Sequence, residues 1–151
     1  MEKLKKKKRY ERIYNQLVEL LKKPGNAQSR MATIIAVLHN KFEHFFWTGF
    51  YMLQDNKLIV TQYQGSVACM SLEKDKGVCW AVINSTEAII VKNVMKFAGH
   101  IACDSRTKSE IVIPLKNKKN AIIGVLDVDS KDINSFDEVD RDALTKILNL
   151  I

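Results

Sequence analysis

Nothing in this 151-residue chain approaches the length of a membrane-spanning segment. No apolar core follows its basic start, as a secretory signal would require. The chain also has no internal repeat, no linker and no low-complexity stretch beyond its lysines. Its three cysteines are an odd number, too few for a disulfide framework and, without an export signal, expected as reduced thiols in the cytoplasm. What remains is a chain 46% hydrophobic and 27% charged, enough to bury one sizeable core in a single soluble domain.

The net charge of +7 is unevenly placed. Lys3, Lys5, Lys6, Lys7, Lys8 and Arg9 crowd the first nine residues against Glu2 alone. Such a segment can hold nucleic acid or an anionic membrane. With no aromatic or glycine pattern beside the charge, residues 1–9 read as a solvated, frayed tail ahead of one domain at 10–151.

Periodicity outlines that domain. Tyr10, Ile13, Tyr14, Leu17, Leu20 and Leu21 recur at helical spacing until Pro24-Gly25, and Asn26 can cap a second helix with Met31, Ile34, Ile35, Leu38 and Phe42 on one face. Phe45 to Gln54 and Lys57 to Gln64 read as strands joined at Asp55-Asn56. Residues 65–77 read as loop, 78–84 as a short helix, 88–91 as a strand and 92–109 as a long loop. Glu110 to Leu115 and Ala121 to Asp129 form a second hairpin. Ser135 and Glu138 have capping-box spacing for a final helix from Phe136. The order predicts an α+β domain, with helices packed on an antiparallel sheet.

The chemistry-bearing residues converge on one stretch. Cys103 lies among small polar residues just before a strand, where a thiol is accessible enough to react. Cys69 and Cys79 precede it. Asp127 and Asp129 alternate onto one face of their strand, and Glu110 opens the neighbouring one. Three thiols and three carboxyls suggest a redox site that binds a cationic group. Trp47 and Tyr51, four apart on a strand, share a face and default to core packing. The helix start at Cys79 would favour its thiolate.

Six motifs occur in order: F-W-T-G-F-Y, Y-Q-G-S-V-A-C, G-V-C, F-A-G-H-I-A-C-D-S, S-E-I-V-I-P and G-V-L-D-V-D-S. From about Arg9 to its end the chain resembles the free methionine-(R)-sulfoxide reductases, enzymes built on the GAF fold. The resemblance implies Cys103 as the catalytic thiol, Cys69 as the resolving one and Cys79 as a third whose part is less defined, an alternative resolver. It implies Glu110, Asp127 and Asp129 as substrate-binding acids and Trp47 and Tyr51 as walls against the substrate. It further implies a homodimer with no bound cofactor or metal, re-reduced by thioredoxin. Two departures stand out. Trp80 replaces the usual glycine after G-V-C, where a ring would narrow the site or shift the Cys79 loop, and V-T-Q-Y-Q-G replaces L-G-P-F-Q-G before Cys69.

Two other readings compete. A GAF domain can be a non-catalytic small-molecule sensor, but it then has no need of three cysteines around acids and is usually attached to an output domain. His100 and Cys103 have H-x-x-C spacing that could join Cys69 and Cys79 at zinc, although the paired C-x-x-C of structural sites is missing.

Overall fold

The structure is a computed structural model that describes residues 2–100 and 103–151. Met1 of the basic segment and Ile101 and Ala102 of the long loop lie outside the described residues. The elements are α1 (Glu2–Leu20), α2 (Ala27–Lys41), β1 (Trp47–Gln54), β2 (Lys57–Gln64), β3 (Ser71–Leu72), α3 (Gly77–Ser85), β4 (Ile89–Val91), β5 (Ser109–Lys116), β6 (Ile122–Ser130) and α4 (Glu138–Leu148). A 3₁₀ turn, Val94–Lys96, follows β4.

The strands form one sheet in the order β3-β2-β1-β6-β5-β4, antiparallel throughout. Both hairpins fall where the sequence predicts them. Asp55 and Asn56 take φ of 50° and 62°, the left-handed pair that matches the twist of a two-residue hairpin.

Alternation along the strands sorts residues onto two faces. Phe50, Ile111, Ile113, Leu126 and Val128 face one way and build the larger core with α1, α2 and α4. Trp47, Tyr51, Val112 and Val125 face the other way, where α3 covers β5 and β6. On this second face α3 leaves the end of the β1–β6–β5 ladder uncovered.

The basic segment is not a frayed tail. Helix α1 begins at Glu2, because lysine and arginine are good helix formers and acids on α4 complement them. Lys6 lies 2.7 Å from Asp140 and 3.2 Å from Asp137, while Lys3 pairs with Glu138. Tyr10 donates to the other oxygen of buried Asp140 at 2.6 Å. The cap of α4 is also displaced. Asp137, not Ser135, accepts the first free N–H groups, and Asp140 returns the bond as the box partner. The Ser135 hydroxyl is already engaged by Ser130 and the Asp132 carbonyl.

Candidate active site

Strand register assembles the acids. Glu110 on β5 stands opposite Asp129 on β6, which stands opposite Trp47 on β1. Two rungs inward, Asp127 stands opposite Gly49. Trp47 and Asp129, 82 residues apart in sequence (129 − 47), are thus direct neighbours, with Glu110 on the third strand and all on the α3 face.

Gly49 is a site residue that the sequence reading missed. A Cβ there would meet the Trp47 ring at 2.4 Å and Tyr63 Cβ at 2.5 Å. Its absence lets the indole lie along the strand, stacked between Tyr51 and Tyr63 at centroid distances of 5.8 and 5.3 Å. A glycine inside a strand pattern was the available signal, since it often marks close approach. The polar tips of both aromatics hold the loop after β2. Trp47 Nε1 donates to the Ser66 carbonyl and Tyr51 Oη to the Cys69 carbonyl, each at 3.0 Å.

That loop forms one rim of a small cavity, about 50 Å³, with the carboxyls at its base. The other rim is built by His100, Cys103, Asp104 and Thr107. A disulfide between Cys69 and Cys103 joins the rims, with Cα atoms 5.6 Å apart. Cys103 is exposed and Cys69 half-buried, as an accessible thiol pair requires. Seven of the eight residues named in advance line this cavity, Trp47, Tyr51, Cys79, Cys103, Glu110, Asp127 and Asp129, and the eighth, Cys69, is bonded to Cys103 at its rim.

Cys79 departs from its expected character. It sits at the start of α3, but burial pushes its thiol well up, and Asp127, Glu110 and Asp129 push the same way. Desolvation and three nearby acids outweigh a helix dipole. Trp80 does not narrow the cavity. It is buried beneath α3 and donates to the Leu72 carbonyl at 3.3 Å, tying α3 to β3.

The carboxyls are electrostatically strained. Burial raises Glu110 well above the ordinary range, and the charges of Asp127 and Asp129 add to this. Burial likewise lifts Asp129 well up, again with help from Asp127. Asp127 is also raised by burial, but hydrogen bonds from Glu110, Asp129 and Cys79 pull it back down. It is therefore the member best able to hold a negative charge, with its neighbours protonated. Asp127 Oδ1 and Asp129 Oδ1 are buried without a hydrogen-bond partner among the described residues. Buried polar atoms are normally paired, and an orphaned carboxyl oxygen in a cavity marks a place for a ligand donor.

His100 and Arg106, the basic residues flanking Cys103 in sequence, are both engaged elsewhere. Arg106 is held by both oxygens of Asp104, at 3.0 and 2.7 Å, and lies over the Phe46 ring. His100 is lowered by burial, against the pull of Asp127, and its Nε2 is 3.7 Å from Glu110 Oε1. The zinc set drawn from Cys69, Cys79, His100 and Cys103 does not assemble, because Cys69 and Cys103 are bonded to each other. The donors that do cluster are Cys79, Glu110 and Asp127, with ligand atoms within 4.8 Å of one another. A cation there would have to displace protons that burial holds in place.

The arrangement can bind one small cationic group at Asp127, present a proton from a neighbouring carboxyl and bring a thiol pair to its mouth. Comparison with known proteins agrees with that chemistry. The GAF domain family model matches residues 28–151. GAF domain-containing protein A of Dictyostelium discoideum is 45% identical over 147 residues, which is 97% of this chain and 92% of that one. Free methionine-R-sulfoxide reductase of Escherichia coli is 37% identical over 118 residues, 78% of this chain and 71% of that one. The crystal structure of free methionine-R-sulfoxide reductase from Neisseria meningitidis in complex with its substrate superposes with a TM-score of 0.88 at 31% identity, covering 93% of this chain and 84% of that one. The chain belongs to the GAF-domain family, among its free methionine-R-sulfoxide reductases.

Proposed function

We propose that this protein reduces free L-methionine-(R)-sulfoxide to L-methionine, with Cys103 attacking, Cys69 resolving and a thioredoxin-type dithiol restoring the pair. One observation carries the reading: buried carboxyls with unpartnered oxygens share a small cavity with the Cys69–Cys103 disulfide.

The substrate brings an ammonium, which Asp127 can hold as an ion pair. Its sulfoxide oxygen is weakly basic and needs a proton, which Glu110 or Asp129, both raised by burial, can supply. Trp47 and Tyr51 offer an apolar wall for the methyl end. With Arg106 and His100 otherwise committed, the bound ammonium is what offsets the acids when the Cys103 thiolate forms.

The thiolate adds to the sulfoxide sulfur as a carboxyl protonates the oxygen. The oxygen passes to Cys103 as a sulfenic acid and methionine leaves, so the substrate sulfur gains the two electrons that Cys103 loses. Cys69 then attacks the sulfenic sulfur, water departs and the disulfide forms. A dithiol reopens it by exchange and carries away the oxidation. No cofactor enters these steps. A homodimer and a cytoplasmic setting, where thiols persist between turnovers, complete the reading.

The test is NADPH consumption coupled through thioredoxin and thioredoxin reductase, with each diastereomer supplied separately. Turnover of the free (R) form alone is expected. Comparable rates on methionine sulfoxide inside a peptide would overturn the free-amino-acid assignment.

A further inference from the structure

On the side of the sheet that packs on α1, α2 and α4, the fully buried polar side chains of the strands are Thr48, which meets His39 of α2, and, at the end of the β5–β6 ladder, Ser109 and Ser130. They face each other across β5 and β6, one rung beyond Glu110 and Asp129, which point to the opposite side. The motifs S-E-I-V-I-P and G-V-L-D-V-D-S begin and end on these two serines, yet the reaction uses neither. Burying a hydroxyl is costly unless it is hydrogen-bonded, and these are bonded to a single turn. Ser109 Oγ donates to the Asp132 carbonyl at 2.5 Å and receives the Ser135 N–H at 3.4 Å. Ser130 Oγ receives the Asp132 N–H at 3.2 Å and the Ser135 hydroxyl at 2.7 Å.

The same place gathers the backbone of three further segments. Lys108, leaving the Cys103 loop, donates to the Ser130 carbonyl, and Phe46, entering β1, donates to the Asp129 carbonyl, both at 2.8 Å. Asn134 of the turn donates to the Lys92 carbonyl just after β4, also at 2.8 Å. A strand end normally frays; this one is tied from three sides.

We propose that Ser109, Ser130 and Ser135 are positioning residues for the reaction proposed above, clamping the last rung of the β5–β6 ladder so that the Glu110 and Asp129 carboxyls stay side by side and dry. Loosening the clamp lets the two carboxyls part and admits water, which weakens both burial and mutual repulsion. The proton donor then titrates lower. Asp127, Cys79, Tyr51, His100 and Asp104 also face this pair, and the clamp touches none of them, so the effect on the pair is separable.

Ser135 is partly exposed, so Ser135→Ala and Ser135→Thr should both fold, whereas Ser130→Ala carries more risk. The readouts are the pH profile of kcat/KM with free methionine-(R)-sulfoxide and a ¹³C carboxyl NMR titration of Glu110 and Asp129. Ser135→Ala is expected to cut kcat about 3- to 10-fold with KM little changed, and to move the alkaline limb and the carboxyl titration down by roughly half to one pH unit. Ser135→Thr, which keeps the hydroxyl, should restore both. A lower Tm with an unmoved limb and unmoved titration would make the cluster merely structural and overturn the proposal. So would failure of threonine to rescue. The NMR titration stands without turnover, so a wild-type protein inactive on the sulfoxide would refute the activity while leaving the clamp to be judged.

Discussion

Replacing Asp127 by asparagine keeps the shape of the side chain and removes the charge that the ammonium needs. Asp127 is 6% exposed and its Oδ1 has no partner among the described residues, so that oxygen is open to the ammonium and water cannot easily replace the bond. A hydrogen bond to a charged group is worth about 1.5–3 kcal/mol, so kcat/KM should fall roughly 10- to 150-fold, mostly through KM. Glu110→Gln and Asp129→Asn probe the proton. Whichever supplies it should lose a further 10²–10⁴-fold or so in kcat. Stability should move in the opposite direction. All three acids are raised in the folded state, so between the ordinary carboxyl range and the raised values the folded protein binds more protons than the unfolded one. Stability must then decline as pH rises through that window. Each amide variant removes part of the decline and should melt higher at neutral pH, by roughly 2–4 °C per kcal/mol of relieved strain. Steady-state kinetics and thermal melts across pH measure both arms. Wild-type kcat/KM in all three variants would refute the mechanism, even with Cys103 essential. Lower Tm in all three would refute the electrostatic account of the pocket.

Cys103→Ser should abolish reduction, while Cys69→Ser should release about one methionine per chain and then stall, as single-turnover methionine release would reveal, because attack needs one thiol and regeneration two. Mass spectrometry of substrate-treated wild type without reductant should find Cys69 joined to Cys103, and a Cys79–Cys103 link would reassign the resolver. Gly49→Ala should raise KM and cost about 1–3 kcal/mol in chemical denaturation, because the new methyl overlaps the Trp47 ring. Lys6→Met should destabilise α1 against α4. Asp137 is partly buried, yet Lys6 holds it below the ordinary carboxyl range, so its share of stability is present above that range and lost as pH falls through the depressed value. The variant's denaturation midpoint should therefore converge on wild type in acid.

Much of this was written in local pattern. The two hairpins were legible because apolar alternation and the Asp55-Asn56 turn agree, and Asp127 and Asp129 had to share a face once that strand was assigned. What local pattern could not give was partnership at a distance. The start of α1 was misread because its first turns bury no apolar stripe and rest on acids of α4, more than 130 residues away. Ser135 lost its capping role to a bond with Ser130. Cys79 was read from its helix, but its environment is set by two other strands. Arg106, two residues after Asp104, is held by it, a local pairing that sequence pattern alone does not reveal.

The bond between the two rims has a consequence for flux. Ser66 and Ala68 on one rim and Asp104 and Thr107 on the other all border the cavity, and the disulfide fixes the gap between them. On the proposed mechanism, a chain in that state holds its nucleophile in the bond that spans its own cavity mouth. Adding more sulfoxide cannot hurry it, and peroxide finds no free Cys103 sulfur to carry beyond the reversible stage. On that mechanism, turnover from this state waits on a dithiol that reaches the exposed Cys103 at the rim.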